Sequence, residues 1–103
     1  MNEKRLKNLI AKATVDCYGE HEEFWGMLAQ LDDELHCPFA ATVLGDKVQV
    51  LGVDDDASSE RRGVMVTVEK DGRTYSFPLS EIEPIKQTGH NAEWVAAYKL
   101  WSQ

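Results

Sequence analysis

The stretch Val64-Met65-Val66-Thr67-Val68-Glu69-Lys70-Asp71-Gly72-Arg73-Thr74-Tyr75-Ser76-Phe77-Pro78-Leu79 decides what kind of domain this chain forms. Val64, Val66 and Val68 alternate with Met65, Thr67 and Glu69, the period-two pattern of a half-buried strand. Asp71-Gly72 is a strong hairpin signal, and Tyr75, Phe77 and Leu79 resume the alternation beyond it. The centre of the chain is therefore an antiparallel sheet. Working upstream, Phe39 to Leu44 reads as a strand, Gly45-Asp46 as a tight turn and Lys47 to Val53 as the next strand. Gly52 marks a bulge, because Leu51 and Val53 continue out of phase with Val48 and Val50. Downstream, Ser80 to Ile85 adds a short turn and a closing strand, which Pro84 confines to an edge.

Helices flank this sheet on both sides in the sequence. From Lys4 to Cys17, residues Leu6, Leu9, Ile10, Ala13 and Cys17 make one apolar stripe at helical spacing. Gly19 interrupts it. A second helical pattern carries Phe24, Leu28, Leu31 and Leu35 on one face and stops before Pro38, which restricts the backbone of its predecessor. A last helix is expected after Asn91, a good N-cap residue, with Trp94, Tyr98 and Trp101 on its docking face. The order helix, helix, sheet, helix predicts an α+β domain spanning 1–103. Short strands and tight turns predict that the small curved sheet closes as an SH3-like barrel.

Between Lys12 and Lys47 there is no Lys or Arg, yet eight carboxylates: Asp16, Glu20, Glu22, Glu23, Asp32, Asp33, Glu34 and Asp46. Asp54-Asp55-Asp56 follows, with Glu60 behind it. The net charge of −7 argues against a nucleic-acid backbone as partner, since that needs clustered Lys and Arg. No apolar run approaches the roughly 20 residues that span a bilayer, so no membrane partner is expected. The opening residues lack the apolar stretch of a signal peptide, and the two cysteines are expected as thiols in the cytoplasm. Enzymatic chemistry has little support. There is no Gly-x-Ser-x-Gly elbow, no phosphate-cradling glycine loop and no His-Glu-x-x-His.

Crowded like charges weaken a fold unless something positive compensates, which makes a cation the first partner to consider. Calcium takes six to eight hard oxygen ligands, and adjacent aspartates in a loop supply carboxylates and carbonyls together. Asp54, Asp55 and Asp56, leading into the flexible-looking Ala57-Ser58-Ser59-Glu60, are the first candidate ligands; a solvated acidic loop is the plain alternative. Asp32, Asp33 and Glu34 form a second candidate cluster near a helix C-terminus, where carboxylates are disfavoured unless a cation or a distant Lys offsets them. Glu20 and Glu22 are weaker candidates, because glutamates at a helix start are favourable in themselves. The EF-hand template fails at both runs: from Asp54 its glycine and glutamate positions fall on Ser59 and Met65, and from Asp32 on Cys37 and Val43. Cys17, His21, His36 and Cys37 are the residue types of a structural zinc site, at poor spacing.

Several stretches carry a family likeness: Val15-Asp16-Cys17-Tyr18-Gly19-Glu20-His21-Glu22, Leu35-His36-Cys37-Pro38-Phe39-Ala40-Ala41, Gly45-Asp46-Lys47-Val48-Gln49-Val50-Leu51-Gly52 and Phe77-Pro78-Leu79-Ser80-Glu81-Ile82-Glu83-Pro84-Ile85. With the closing Glu93-Trp94 to Trp101, they resemble the cyanobacterial calcium-binding protein family, a small acidic group without EF-hands. The resemblance runs from Ala13 onward and implies calcium binding by acidic side chains, as an intracellular buffer or sensor. Its motif falls on Asp16, Tyr18, Glu20 and Glu22. The competing expectation is an SH3-like interaction module whose acids and aromatics dock a basic protein partner.

Overall fold

A computed structural model describes residues 2–103. Among these residues three helices pack with one antiparallel sheet of five strands, so the α+β expectation holds. Helix α1, Glu3–Ala13, starts at Asn2, whose side chain accepts a hydrogen bond from the Lys4 amide at 2.8 Å. It buries Leu6, Leu9 and Ala13 and ends at Thr14, short of the expected Cys17. Cys17 lies instead in the link to the next helix, where its Sγ sits 2.8 Å from where a Cβ on Gly26 would be. Gly26 is thus the small residue that lets this link close onto α2, Glu20–Glu34.

Strand β1, Phe39–Val43, turns through Leu44-Gly45 into β2, Asp46–Val53. The turn sits one residue earlier than expected, with Leu44 and Gly45 both at positive φ. The bulge appears where the phase change placed it, as a register shift between Val50 and Gly52 against β3, Met65–Lys70. Asp71 and Gly72, at φ 53° and 80°, connect β3 to β4, Arg73–Pro78. Leu79 does not prolong β4. It opens a 3₁₀ turn, Leu79–Glu81, before the two-residue β5, Glu83–Pro84.

The sheet order is β4-β3-β2-β1-β5. Its ends do not meet, so the expected closure into an SH3-like barrel does not occur. The reason is local: β5 holds only two residues, one of them a proline without an N–H to give. The core lies on the face where Val48, Val50, Val66 and Val68 point, covered by Met27, Leu31, Trp94 and Val95.

Helix α3, His90–Trp101, begins one residue before the expected cap, with Gly89 at the N-cap position. Asn91 has a different task. Its side chain accepts from the His36 amide at 2.8 Å and donates to the His36 carbonyl at 2.9 Å, tying the α2–β1 link to α3. Asn91→Ala should therefore lower stability by about 1 kcal/mol. Urea unfolding checks this, and an unchanged midpoint would show the clamp to be idle.

Candidate metal-binding surface

The Asp54 loop is built rather than loose. The Asp54 carboxylate accepts from the Ala57 amide at 3.1 Å and from the Ser76 hydroxyl at 3.0 Å. Its carbonyl accepts from the Ser58 hydroxyl at 2.7 Å, and that hydroxyl in turn accepts from the Met65 amide at 2.8 Å. Ser58 is 6% exposed, the one buried polar side chain among the described residues. Ser59 and Gly63 exchange backbone bonds at 3.2 and 2.7 Å, closing the excursion before Val64. The expectation of a flexible loop gives way to a hydrogen-bonded one. Asp55 and Asp56 project from it into solvent, and neither carboxylate has a cationic partner among the described residues.

The second cluster divides. The Glu34 carboxylate accepts from Lys12 at 3.4 Å and from Gln30 at 3.1 Å, and His90 Nε2, which donates to the Glu34 carbonyl at 2.7 Å, stands 3.1 Å from the same carboxylate. Burial raises its carboxyl, but Lys12, His90 and Gln30 outweigh that and hold it below the usual carboxylate range. The alternative of a Lys from elsewhere in the fold therefore accounts for Glu34. Asp32 and Asp33 stay exposed without an ion pair among the described residues. At the other end of α2, Glu22 accepts from the Tyr18 amide at 2.8 Å, and Glu20 is exposed. Glu20 and Glu34 stand about 21 Å apart along the helix axis, so the ends of α2 cannot serve one ion.

Among the described residues, no three His, Cys, Asp or Glu side chains converge closely enough to hold a metal. This bears on zinc as well. Cys37 is at the surface, yet packing around its thiol, joined by the Asp32 carboxylate, pushes it up, away from the thiolate a soft metal needs. His36 stacks on His90 with centroids 4.5 Å apart, while His21 bonds to Glu60. A family model described as calcium binding, Calci_bind_CcbP, matches residues 5–102. The chain belongs to this calcium-binding family. The crystal structure of Anabaena CcbP is similar to it, with a TM-score of 0.81 and 26% identity over 99% of this chain and 91% of that one. A calcium-binding protein in its calcium-binding form is also similar, with a TM-score of 0.77 and 26% identity over 98% and 90%. No curated protein sequence matches.

For a member of this calcium-binding family the donor set suits the ion. Hard carboxylate oxygens without protein partners are what calcium takes, and it tolerates the irregular, water-completed coordination that non-converging groups require. The fold also places one acidic group that the local sequence hid. Glu20, Glu23 and Glu60 line a cleft of about 360 Å³ floored by Phe24 and Trp101. Glu60 is forty residues from Glu20 in the chain, so only the return of the Asp54 loop toward α2 could reveal it.

Proposed function

We propose that this chain binds Ca²⁺ reversibly in the cytoplasm through surface carboxylates, as a buffer or sensor and not as an enzyme. Membership of the calcium-binding family carries the reading. The carboxylates of Asp55 and Asp56, exposed and without a cationic partner among the described residues, support it at the level of residues. Asp54, Asp55 and Asp56 remain the first candidate ligands: the Asp54 side chain is held by Ala57 and Ser76, so its loop presents the next two aspartates in a fixed direction. Asp32, Asp33 and Glu34 are the second group, with Glu34 contributing least because it is already neutralised. Glu20 and Glu22 are the third. Sites this open bind with affinities on the order of micromolar or weaker, and Mg²⁺, which demands tight octahedral geometry, competes poorly.

Calcium titration followed by amide chemical shifts tests the ranking. Asp55→Asn with Asp56→Asn should weaken the strongest site about tenfold or more, through the loss of ligand charge. Asp32→Asn with Asp33→Asn should leave that site within about twofold. The reverse order would move the site to the end of α2. A folded protein that gives no heat at roughly millimolar Ca²⁺ would sink the reading altogether.

A further inference from the structure

The open sheet leaves β4 as an edge whose outward backbone groups are free. Leu79 N–H bonds to Val64 C=O at 2.9 Å, and the two-residue turn pairs Lys70 with Arg73. Antiparallel ladders alternate, so Arg73, Tyr75 and Phe77 exchange bonds with β3 while Thr74 and Ser76 direct their N–H and C=O outward. Among the described residues no backbone partner meets Thr74 or Ser76 on that side. Tyr75, 45% exposed, and Phe77 line one end of a groove that runs across the core face of the sheet to Val43, Leu44 and Val48 of β1, its turn and β2.

We propose that β4 is a self-pairing edge by which two copies of this chain join antiparallel, and that bound calcium favours the pairing. The calcium part rests on the function proposed above. The edge is complementary to itself about Tyr75. With Tyr75 opposite Tyr75, Thr74 of one copy meets Ser76 of the other, and the two pairs satisfy every outward donor and acceptor of those residues. Arg73 of one copy then lies opposite Phe77 of the other, a cation over an aromatic face. No like charges stand directly opposite within this register. What opposes it is the surrounding charge. Each copy carries −7, and the register brings Asp54, held by Ser76, toward Glu69, which pairs with Thr74 in the other copy. A cation on the Asp54 loop lowers that repulsion at the point where it is greatest, which would turn calcium occupancy into assembly.

Thr74→Pro tests the edge cleanly, because it removes an outward N–H while leaving the bonds to β3 in place. Tyr75→Lys is the second variant, a charge of the kind that protects natural edges. Sedimentation of the intact chain in calcium, in chelator and in high salt, with calorimetry on the same samples, reads the result. Dimers in calcium and monomers in chelator are expected. Both variants should stay monomeric in calcium, with dissociation constants raised about tenfold or more, while keeping the calcium heat. A monomeric chain whose calcium heat is intact overturns the proposal, as does a Thr74→Pro protein that dimerises like the parent. If calcium gives no heat, the calcium reading fails on its own. The edge then stands only if salt alone produces a dimer that Thr74→Pro abolishes.

Discussion

Gly63→Ala is expected to lower the stability of the protein by roughly 2–5 kcal/mol, far more than a surface substitution usually does. Two effects add. Gly63 has φ +83°, in the left-handed region where a side chain strains the backbone. A Cβ there would also stand 2.8 Å from the Tyr98 hydroxyl oxygen. That oxygen accepts from the Val64 amide at 3.0 Å, in a buried setting where an unmet N–H is expensive. Burial pushes the Tyr98 phenol up while the Val64 bond pulls it down, and the net rise fits a hydroxyl enclosed at 3% exposure. Gly72→Ala is the control, since Gly72 has φ +80° but nothing within 4 Å of the added Cβ. Urea unfolding of both should give unchanged m and a clearly lower midpoint for Gly63→Ala. Adding Tyr98→Phe should make Gly63→Ala milder, because the clashing oxygen is gone. Equal losses at Gly63 and Gly72 would show that Tyr98 plays no part. Since Gly63 closes the loop that carries Asp55 and Asp56, the same variant should also weaken calcium binding.

What could be read beforehand followed the range of the interaction. The valines at 64, 66 and 68 and the Asp71-Gly72 turn are local signals, and the hairpin, the bulge beside Gly52 and the break at Gly19 stand where those signals put them. Asn91 carries the same local signal for a cap but is recruited by the His36 backbone, 55 positions away, and Gly89 takes the N-cap position instead. Closure of the sheet depended on pairing two edges, and β5 proved too short to offer one. The acidic clusters divide in the same way. Charge crowding is visible in sequence, but its relief is not: Lys12 and His90 reach Glu34 across 22 and 56 positions. Asp54 looked like a ligand by residue type, and its own carboxylate is also the brace of the loop, bonded to Ala57 and Ser76. Which carboxylates stay free is therefore a tertiary property.

Trp94→Ala is expected to remove about 3–5 kcal/mol, a large part of the 5–15 kcal/mol that typically holds a domain folded. Trp94 is 1% exposed and heads the fully buried side chains, beside Met27, Leu31 and Ile82. No neighbour replaces it, because α2 and α3 together cover the apolar face of the open sheet and Trp94 is the largest fully buried side chain in that layer. Trp101→Ala, on the same helix but only half-buried, should lower stability much less. Thermal unfolding of the two variants separates the explanations. Similar losses would mean that α3 is held along its whole aromatic face, whereas a loss confined to Trp94 places the anchor at its centre. The calcium response adds a second reading: if the ion binds the Asp54 loop and α2, Trp101→Ala should keep its affinity within about twofold, since Trp101 only floors the cleft beside Glu20, Glu23 and Glu60. A large loss of calcium binding in a stable Trp101→Ala protein would instead move the site into that cleft.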